Sequence, residues 1–537
     1  MRRKWQLRDK KFSILVLAIF IAVFAAIGAY KLIFGNAATT AANLWVVNSG
    51  AGSCSRSSTA VAFNSATSCS SFDTAYQAAN KGDLVLVTCA SGATSCSYPS
   101  QTFLPNHAKA ISPGDCKWSE TFHDGATARD QSGCIQFAPN SGVNPSLGGL
   151  AVGVPYVYAN GFNLTGSINV GWNSGIGGIC TSYNSQQIIL RNMTVNTAIL
   201  NVNAASYLYV IGGTYSGPNN ASSNIEPCYN SSSDATHVDH IAIDGATFKD
   251  YLQTDPAAHD ECIHWQDTDQ GVVTNSKFLN CAQQDISFHP CNRNFCRLNH
   301  MNVSNNVFDG ACSNQSSPCG SVSGGGLVLG CNPQELLANF NIVNNSMSLV
   351  DEMLESDTYF DTDCAAGSGH IVVTGNMFGG TPFTSECSNF LNRQGFIMTS
   401  NLYGQSIQCG GSTNMINVAS SSVYVNPTPT TYDYAQKSTS PSRSFVAGAC
   451  PTSTDLLGNV RPATGCDAGA YQFTGGGNPP PPPPPKLGDC NSDGKVDVTD
   501  LSILLTNFNT NYSQCDFNSD STVNIFDLSI LLTNFGT

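Results

Sequence analysis

Charge is scarce in this chain: only 11% of its 537 residues are Asp, Glu, Lys or Arg. Cations are outnumbered, 23 Lys and Arg against 37 Asp and Glu, which gives a formal net charge of -14. No basic stripe occurs beyond the first eleven residues. That excludes nucleic acid as a partner, because phosphate backbones are held by clustered Lys and Arg. An acidic substrate would need local cations or a metal to approach. None of the 22 cysteines falls in a C-x-x-C pair, so zinc ribbons and thioredoxin-like motifs have no support. The middle of the chain also lacks apolar residues at 3.6-residue spacing, which argues against a helical solenoid. What remains is apolar, small and turn-forming, with 41% hydrophobic residues and 49 glycines. Such a composition is too apolar for disorder and reads as sheet and turn.

The N-terminus begins "MRRKWQLRDKK" and runs on through an apolar stretch from Phe12 to Ala29. A basic leader before an apolar run is an export signal. The run is close to bilayer-spanning length, while Ala37, Ala38, Ala41 and Ala42 offer cleavage sites. Residues 1–36 are therefore read as a cleaved signal peptide or a retained N-terminal membrane anchor. In either case the rest of the chain is exported. Cys89/Cys96, Cys291/Cys296, Cys312/Cys319 and Cys450/Cys466 have spacings suited to local disulfides in an oxidising compartment.

A repeat lies between these ends. Seven eight-residue units share one pattern: "IILRNMTV" from Ile188, "LYVIGGTY" from Leu208, "IAIDGATF" from Ile241, "GVVTNSKF" from Gly271, "MNVSNNVF" from Met301, "FNIVNNSM" from Phe340 and "IVVTGNMF" from Ile371. Position three is aliphatic and position eight is large and apolar. Position five is always Asn or Gly: Asn192, Gly212, Gly245, Asn275, Asn305, Asn344 and Gly375. Asn and Gly tolerate left-handed backbone, so position five predicts a sharp turn between two short strands. One such strand-turn-strand cannot bury its apolar face alone, but stacked copies share a core. The spacing between units varies from 20 to 39 residues, which disfavours propeller blades. The pattern predicts an all-β right-handed parallel β-helix with loops of variable length between rungs.

Both ends of this region carry a resemblance. "SSFDTAYQAANKGDLVLV", Ser70 to Val87, reads as a short helix stopped at Gly82 and followed by a strand. It resembles the N-terminal cap of pectate-lyase-like β-helix proteins. "DLLGNVRPATGCDAGAYQF", Asp455 to Phe473, resembles the closing segment of exported β-helix proteins of the choice-of-anchor type. Those usually read D-x-G-A-Y-E; Asp467, Gly469, Ala470 and Tyr471 match, and Gln472 departs. The expected β-helix covers residues 44–474. It is followed by a Gly/Pro linker over 475–486 with seven consecutive prolines, flexible and then stiff.

The tail says one thing twice: "DCNSDGKVDVTDLSILL" from Asp489 and "DFNSDSTVNIFDLSILL" from Asp516. In the first copy Asp489, Asn491, Asp493, Asp497 and Asp500 stand at positions 1, 3, 5, 9 and 12, with Gly494 at position 6. That spacing wraps hard oxygen ligands around Ca²⁺, with Lys495 at position 7 giving a backbone carbonyl. The second copy offers Asp516, Asn518, Asp520, Thr522 (by its carbonyl), Asn524 and Asp527, with Ser521 where the first has glycine. A left-handed turn at serine costs about 1–2 kcal/mol, so the second site is expected to be weaker. After each loop apolar residues recur at helical spacing: Val498, Leu501, Leu504, Leu505 and Phe508, then Ile525, Leu528, Leu531, Leu532 and Phe535. Both stripes are expected to pack on each other as a small core. Aspartate at position 12, one helix per loop and close duplication make residues 487–537 resemble a dockerin domain. The resemblance implies a cohesin-like scaffold module as partner and a carbohydrate-active cargo. A calcium-stiffened module without a partner is the alternative. Cys490 and Cys515 are expected to form a disulfide.

On the expected solenoid, titratable groups are densest in "HDECIHWQDTD", His259 to Asp269, and recur in "DISFH", Asp285 to His289. Asp260 and His264 are four apart, as are Asp285 and His289, and i and i+4 face the same way along a strand. With Ile263, Trp265, Ile286 and Phe288 inward, both Asp/His pairs would stack outward on adjacent rungs, ~4.8 Å apart. Such a face suits acid–base work, with His as proton carrier and carboxylates as acid and base. Elimination from a uronate would also need a cation, for which Lys277, Arg293 or Arg297 would serve. The competing reading is that these groups cap solvent-facing strands or bind structural Ca²⁺. No N-T-D, G-H-G or R-I-K of the polygalacturonases occurs. Two functions follow: an exported polysaccharide lyase or glycoside hydrolase carried on a scaffold or cell surface, or a non-catalytic adhesin that binds glycans.

Overall fold

The protein is described by a computed structural model over residues 41–474, outside a set of loop segments, and over most of 488–535. The longest segments outside it are 119–132, 172–184, 311–324, 357–367 and 379–394. Residues 1–40, where the signal or anchor is expected, and the linker lie outside the described residues. Among the described residues no helix is long and apolar enough to cross a membrane.

A single rung shows how the chain coils. Asp239–Asp244 lies in a first sheet and Thr247–Tyr251 in a second. After a loop, Ile263–Trp265 lies in a third, and Thr268–Thr274 returns to the first. There it runs parallel to Asp239–Asp244, with Asp239 against Asp269 and Ile241 against Gly271. Repetition gives three parallel sheets of twelve, eleven and nine strands among the described residues. The fold is a parallel β-helix.

The eight-residue unit accounts for the rung. Position three (Leu190, Val210, Ile243, Val273, Val303, Ile342 and Val373) is fully buried in every unit. Position five is left-handed in all seven, with φ between 49° at Asn192 and 71° at Gly375. At position eight Tyr215, Phe248, Phe278 and Phe308 stack rung upon rung, with centroids 4.8, 5.5 and 5.1 Å apart. Position six holds a feature the pattern did not reveal, a buried ladder of Asn306, Asn345, Asn376 and Asn401. Asn345 Oδ1 accepts from the Asn306 backbone N–H (2.9 Å) and from Asn306 Nδ2 (3.1 Å). Its own amide donates to the Val303 carbonyl (2.9 Å) and to Asn376 Oδ1 (3.0 Å). At the bend, where strand pairing is interrupted, these amides satisfy backbone groups that would otherwise be buried without partners.

The ends are closed by different devices. The helix Phe72–Ala78, capped by Ser71, buries Phe72, Ala75 and Tyr76 in the first rungs. Gly82 (φ 86°) then turns the chain into the strand Leu84–Thr88. Toward the C-terminus, parts of 418–471 form a strap across the outer face of the second sheet, where Leu279, Val307, Met377 and Leu402 pack against Val423, Tyr424, Tyr434 and Tyr471. Arg461 pins the strap, donating to the Gly469 carbonyl (2.7 Å) and to Asn305 Oδ1 (3.2 Å). The closing motif works as an anchor. Asp467 accepts the backbone N–H groups of Ser444 and Phe473, and the Ala470 N–H reaches Ser346 Oγ at 2.9 Å.

Disulfides join Cys89 to Cys96, Cys450 to Cys466 and Cys490 to Cys515, as expected. They also join Cys54 to Cys69, Cys116 to Cys134 and Cys262 to Cys281. Cys296 is disulfide-bonded, while Cys291, Cys312 and Cys319 lie outside the described residues. In the tail, helices Val498–Thr506 and Ile525–Thr533 pack as a pair. Leu504 and Leu531 are buried, with Val496, Val523 and both cysteines beside them. The expectation that both full stripes enter this core is corrected: Val498, Leu505, Ile525 and Leu532 are exposed. A nine-residue helix against one neighbour buries a narrow face, and the disulfide fills what the outer leucines do not.

Candidate functional site

Trp265, Ile263, Ile286 and Phe288 face inward, fully buried, as the strand parity required. His264 is consequently outward and half-buried on the third sheet, with the Gln266 amide 3.3 Å from its Nδ1. His264 pairs with Ser287 and Trp265 with Phe288, and the His289 N–H donates to the Trp265 carbonyl. His264 and His289 therefore share one face on a diagonal, separated by ~8 Å from one strand spacing and two residues of rise. Asp285, by contrast, is buried at 1% exposure, near enough to Tyr434 of the strap to contribute to raising its phenol. Asp260 and Arg293 lie outside the described residues. Lys277 sits on the second sheet beneath the strap, where burial lowers its pKa and Asp433 partly offsets this.

A denser constellation lies across the corner, on the first sheet. The last five eight-residue units there are each preceded by a doublet: Asp239-His240, Asp269-Gln270, Asn299-His300, Ala338-Asn339 and Gly369-His370. The second member is left-handed every time, with φ of 51°, 66°, 52°, 57° and 55°. A left-handed residue breaks the alternation of the strand, so Asp239 points outward although Ile241, two residues on, is buried. The doublets thus build an outward polar row along the solenoid. Asp239 Oδ2 lies 2.8 Å from His240 Nδ1, and Asp269 Oδ1 lies 2.8 Å from His300 Nδ1. Asn299 donates to Asp269 at 3.2 Å, and the Arg297 guanidinium is 3.9 Å from the same carboxylate. Asp239 and Asp269 are register partners on adjacent strands, which sets their backbones about 5 Å apart. Next to this row runs a groove of about 450 Å³ lined by His300, Asn302, Asn339, Asn341 and Thr374, with Pro451 of the strap contributing to it.

At the corner itself Asp267 is fully buried. It accepts from the Val238 and Arg297 backbone N–H groups and lies 2.9 Å from His237 Nδ1. That hydrogen bond raises the His237 pKa above its ordinary 6.5. Asp267 knits three rungs together and is structural. The sequence reading passed over Asp239, Asp269 and His300 because it looked for pairs four apart in one segment. The available signal was an acid or amide followed by His or Gln, recurring just before the repeat.

In the tail, Asp500 and Asp527, both at position 12, are fully buried. Asp500 accepts the Cys490 N–H at 2.9 Å. Asp527 accepts the N–H groups of Phe517, Asn518 and Asn524, and burial raises its pKa. Residues 487–535 match the family model of the Dockerin type I domain. The tail is of dockerin type.

A dockerin-type loop folded around the buried Asp527 carboxylate fits a cation, since among the described residues that carboxylate meets backbone donors and the like charge of Asp516. Of the second loop, Asp516, Asn518, Thr522, Asn524 and Asp527 are described; Asp520 and, in the first loop, Asp489, Asn491, Asp493, Lys495 and Asp497 are not. Among the described residues no group of three acids, His or Cys is gathered as a metal site. No curated protein matches the chain. Among solved structures, the chain is similar to "Crystal structure of pectate lyase Pel9A" at 12% identity and a TM-score of 0.42, covering 80% of this chain and 95% of that one. Nothing about reaction follows from a likeness at that level.

Proposed function

We propose that the protein is an exported carbohydrate-active β-helix whose first-sheet groove works on a glycan chain, and whose dockerin-type tail attaches it to a cohesin-like module on a scaffold or cell surface. One observation carries the catalytic reading: Asp239 and Asp269 are register partners facing outward, and Asp269 is bonded to His300 of the groove. One strand spacing between their backbones brings the two carboxyl groups within range of the roughly 5–5.5 Å used by glycosidases that work through a covalent intermediate. One group, as carboxylate, bonds to the anomeric carbon while the other, as carboxylic acid, gives its proton to the departing oxygen; water then cleaves the glycosyl-enzyme bond and returns a proton to the second group. His240 and His300 hold the two carboxylates in place, and His300 stands at the groove itself. The disulfides support an oxidising, extracytosolic location.

In the tail, Asp489, Asn491, Asp493, Lys495, Asp497 and Asp500, then Asp516, Asn518, Asp520, Thr522, Asn524 and Asp527, would hold Ca²⁺. When bound, the ion neutralises the loop carboxylates and ties each loop to its helix.

Of the sequence-derived set, His264 and His289 keep a role as the second candidate centre, supported by their sharing a face; Asp285 is buried away from it, and Asp260 lies outside the described residues. The experiment is to assay the exported chain on a panel of plant and microbial polysaccharides, with Asp269→Asn and His264→Ala side by side. Asp269→Asn is expected to lower cleavage ~10²–10⁴-fold without shifting thermal unfolding. If His264→Ala alone abolishes cleavage, the acting residues belong to the third sheet. A wild-type chain that binds glycans and cleaves none is an adhesin.

A further inference from the structure

We infer that the groove takes an uncharged glycan chain and discriminates against polymers of uronic acids. The inference deepens the glycan-active reading and rests on it. Among the described residues, the groove lining holds no Lys, Arg, Asp or Glu, and His300 is its single titratable side chain. Of the described cations, Arg297 faces the Asp269 carboxylate at 3.9 Å and is already balanced by it, and Arg461 is buried in the strap with its donors on Asn305 and the Gly469 carbonyl. Lys277 is turned away on the second sheet, under the strap. A carboxylate, on the other hand, stands at the edge of the groove: Asp269 is bonded to His300 of the lining at 2.8 Å, with Asp239 one strand beyond it. A chain with a carboxylate on every ring would meet these fixed negative charges, with a protein of net charge -14 behind them.

What the groove does offer is amides. Asn302 and Asn341 are register partners on adjacent strands, with Val272 below and Val372 above. Asn339 joins them from the doublet row. Each amide presents two donors and one acceptor with two lone pairs, so it can meet a hydroxyl in either sense. Repeated at the strand spacing along the axis, these groups suit the hydroxyls of an extended neutral chain lying parallel to the solenoid. Apolar Val272 and Val372, on either side of the pair, suit the C–H faces of sugar rings. The chemistry implied is hydrolysis rather than elimination, because removing a proton beside a uronate carboxylate requires a cation on that carboxylate.

The test is calorimetric titration of the full exported chain with oligosaccharides of matched length. Xylan, mannan and galactan fragments form one arm, and polygalacturonate and polymannuronate fragments the other, each at low and high salt. At least one neutral oligosaccharide is expected to bind tenfold or more tighter than either uronate, with an affinity that salt leaves unchanged. Asn302→Ala combined with Asn341→Ala should weaken that binding about tenfold. Its unfolding temperature should stay put, because both side chains point outward. Uronate oligomers binding as tightly as the best neutral one, or more tightly, would overturn the inference and leave the glycan reading standing. An unaffected double variant would overturn the assignment to this groove. No binding by either class would end both.

Discussion

Replacing Asn345 by Leu tests whether the buried amide ladder holds the rungs together. The side chain is fully buried and makes four hydrogen bonds, two as acceptor and two as donor. Leucine has nearly the same volume and makes none. Two of the four partners keep another bond: Asn306 Nδ2 still reaches the Val273 carbonyl, and Asn376 Oδ1 still accepts the Asn345 backbone N–H. The Asn306 N–H is left stranded, at ~1–3 kcal/mol. The other three bonds were worth about 1 kcal/mol apiece, and burying the leucine returns ~1.5–3 kcal/mol. The net is a loss of about 3 kcal/mol. Urea unfolding followed by tryptophan fluorescence measures it, with Asn201→Ala on the outer face of the third sheet as the control. Asn201 donates a single amide bond, to Asn169 at 3.1 Å, and accepts one from Asn224 at 3.3 Å, so its removal should cost under ~1 kcal/mol. A loss under ~1 kcal/mol for Asn345→Leu as well would refute the ladder as a structural element.

Three further outcomes are expected. Chelating calcium should collapse the helix signal of residues 487–537 in circular dichroism, and unchanged helicity in chelator would count against the metal. Asp489→Ala should raise the calcium concentration needed for folding more than Asp516→Ala does, because the first loop has glycine at its sixth position. The His237–Asp267 bond should contribute to stability fully below the unfolded pKa near 6.5 and lose that contribution as pH rises through the raised folded value. His237→Gln should therefore flatten the decline in denaturation midpoint above pH 6.5, and an unaltered profile would show that the bond carries no linkage.

The rung architecture was legible because its signals are local. An Asn or Gly at position five reports a left-handed turn, and an aliphatic at position three reports the core, whatever the length of the next loop. The asparagines at position six escaped notice because a buried amide looks like a surface one until its partners, a rung away, are known. The site was legible only in its chemistry. The outward row on the first sheet is also built of Asp and His, but strand parity misplaces any residue next to a left-handed one. In Asp239-His240-Ile241 the parity inverts, and the outward row built there has no counterpart in a period-two pattern. Asp285 failed for another reason: the strap that comes to lie near it is encoded about 150 residues downstream, at Tyr434. In the tail the helical stripes were correct as periodicity and too generous as burial, since nine residues against one neighbour bury a single edge.

The strap also imposes an order on maturation. Rungs touch only their neighbours, so a chain emerging from the export channel can coil as it arrives. The strap bonds span far longer separations: 156 residues from Arg461 to Asn305, 125 from Tyr434 to Asp309 and 124 from Ala470 to Ser346. Until that segment is out, Leu279, Val307, Met377 and Leu402 present a bare oily wall to other half-finished chains. A chain ended at residue 417 should therefore bind a hydrophobic dye that the full chain ignores. The dockerin-type tail lies beyond the strap and is delivered after it. A scaffold is thus offered its handle only after the means of sealing the cargo has already left the channel.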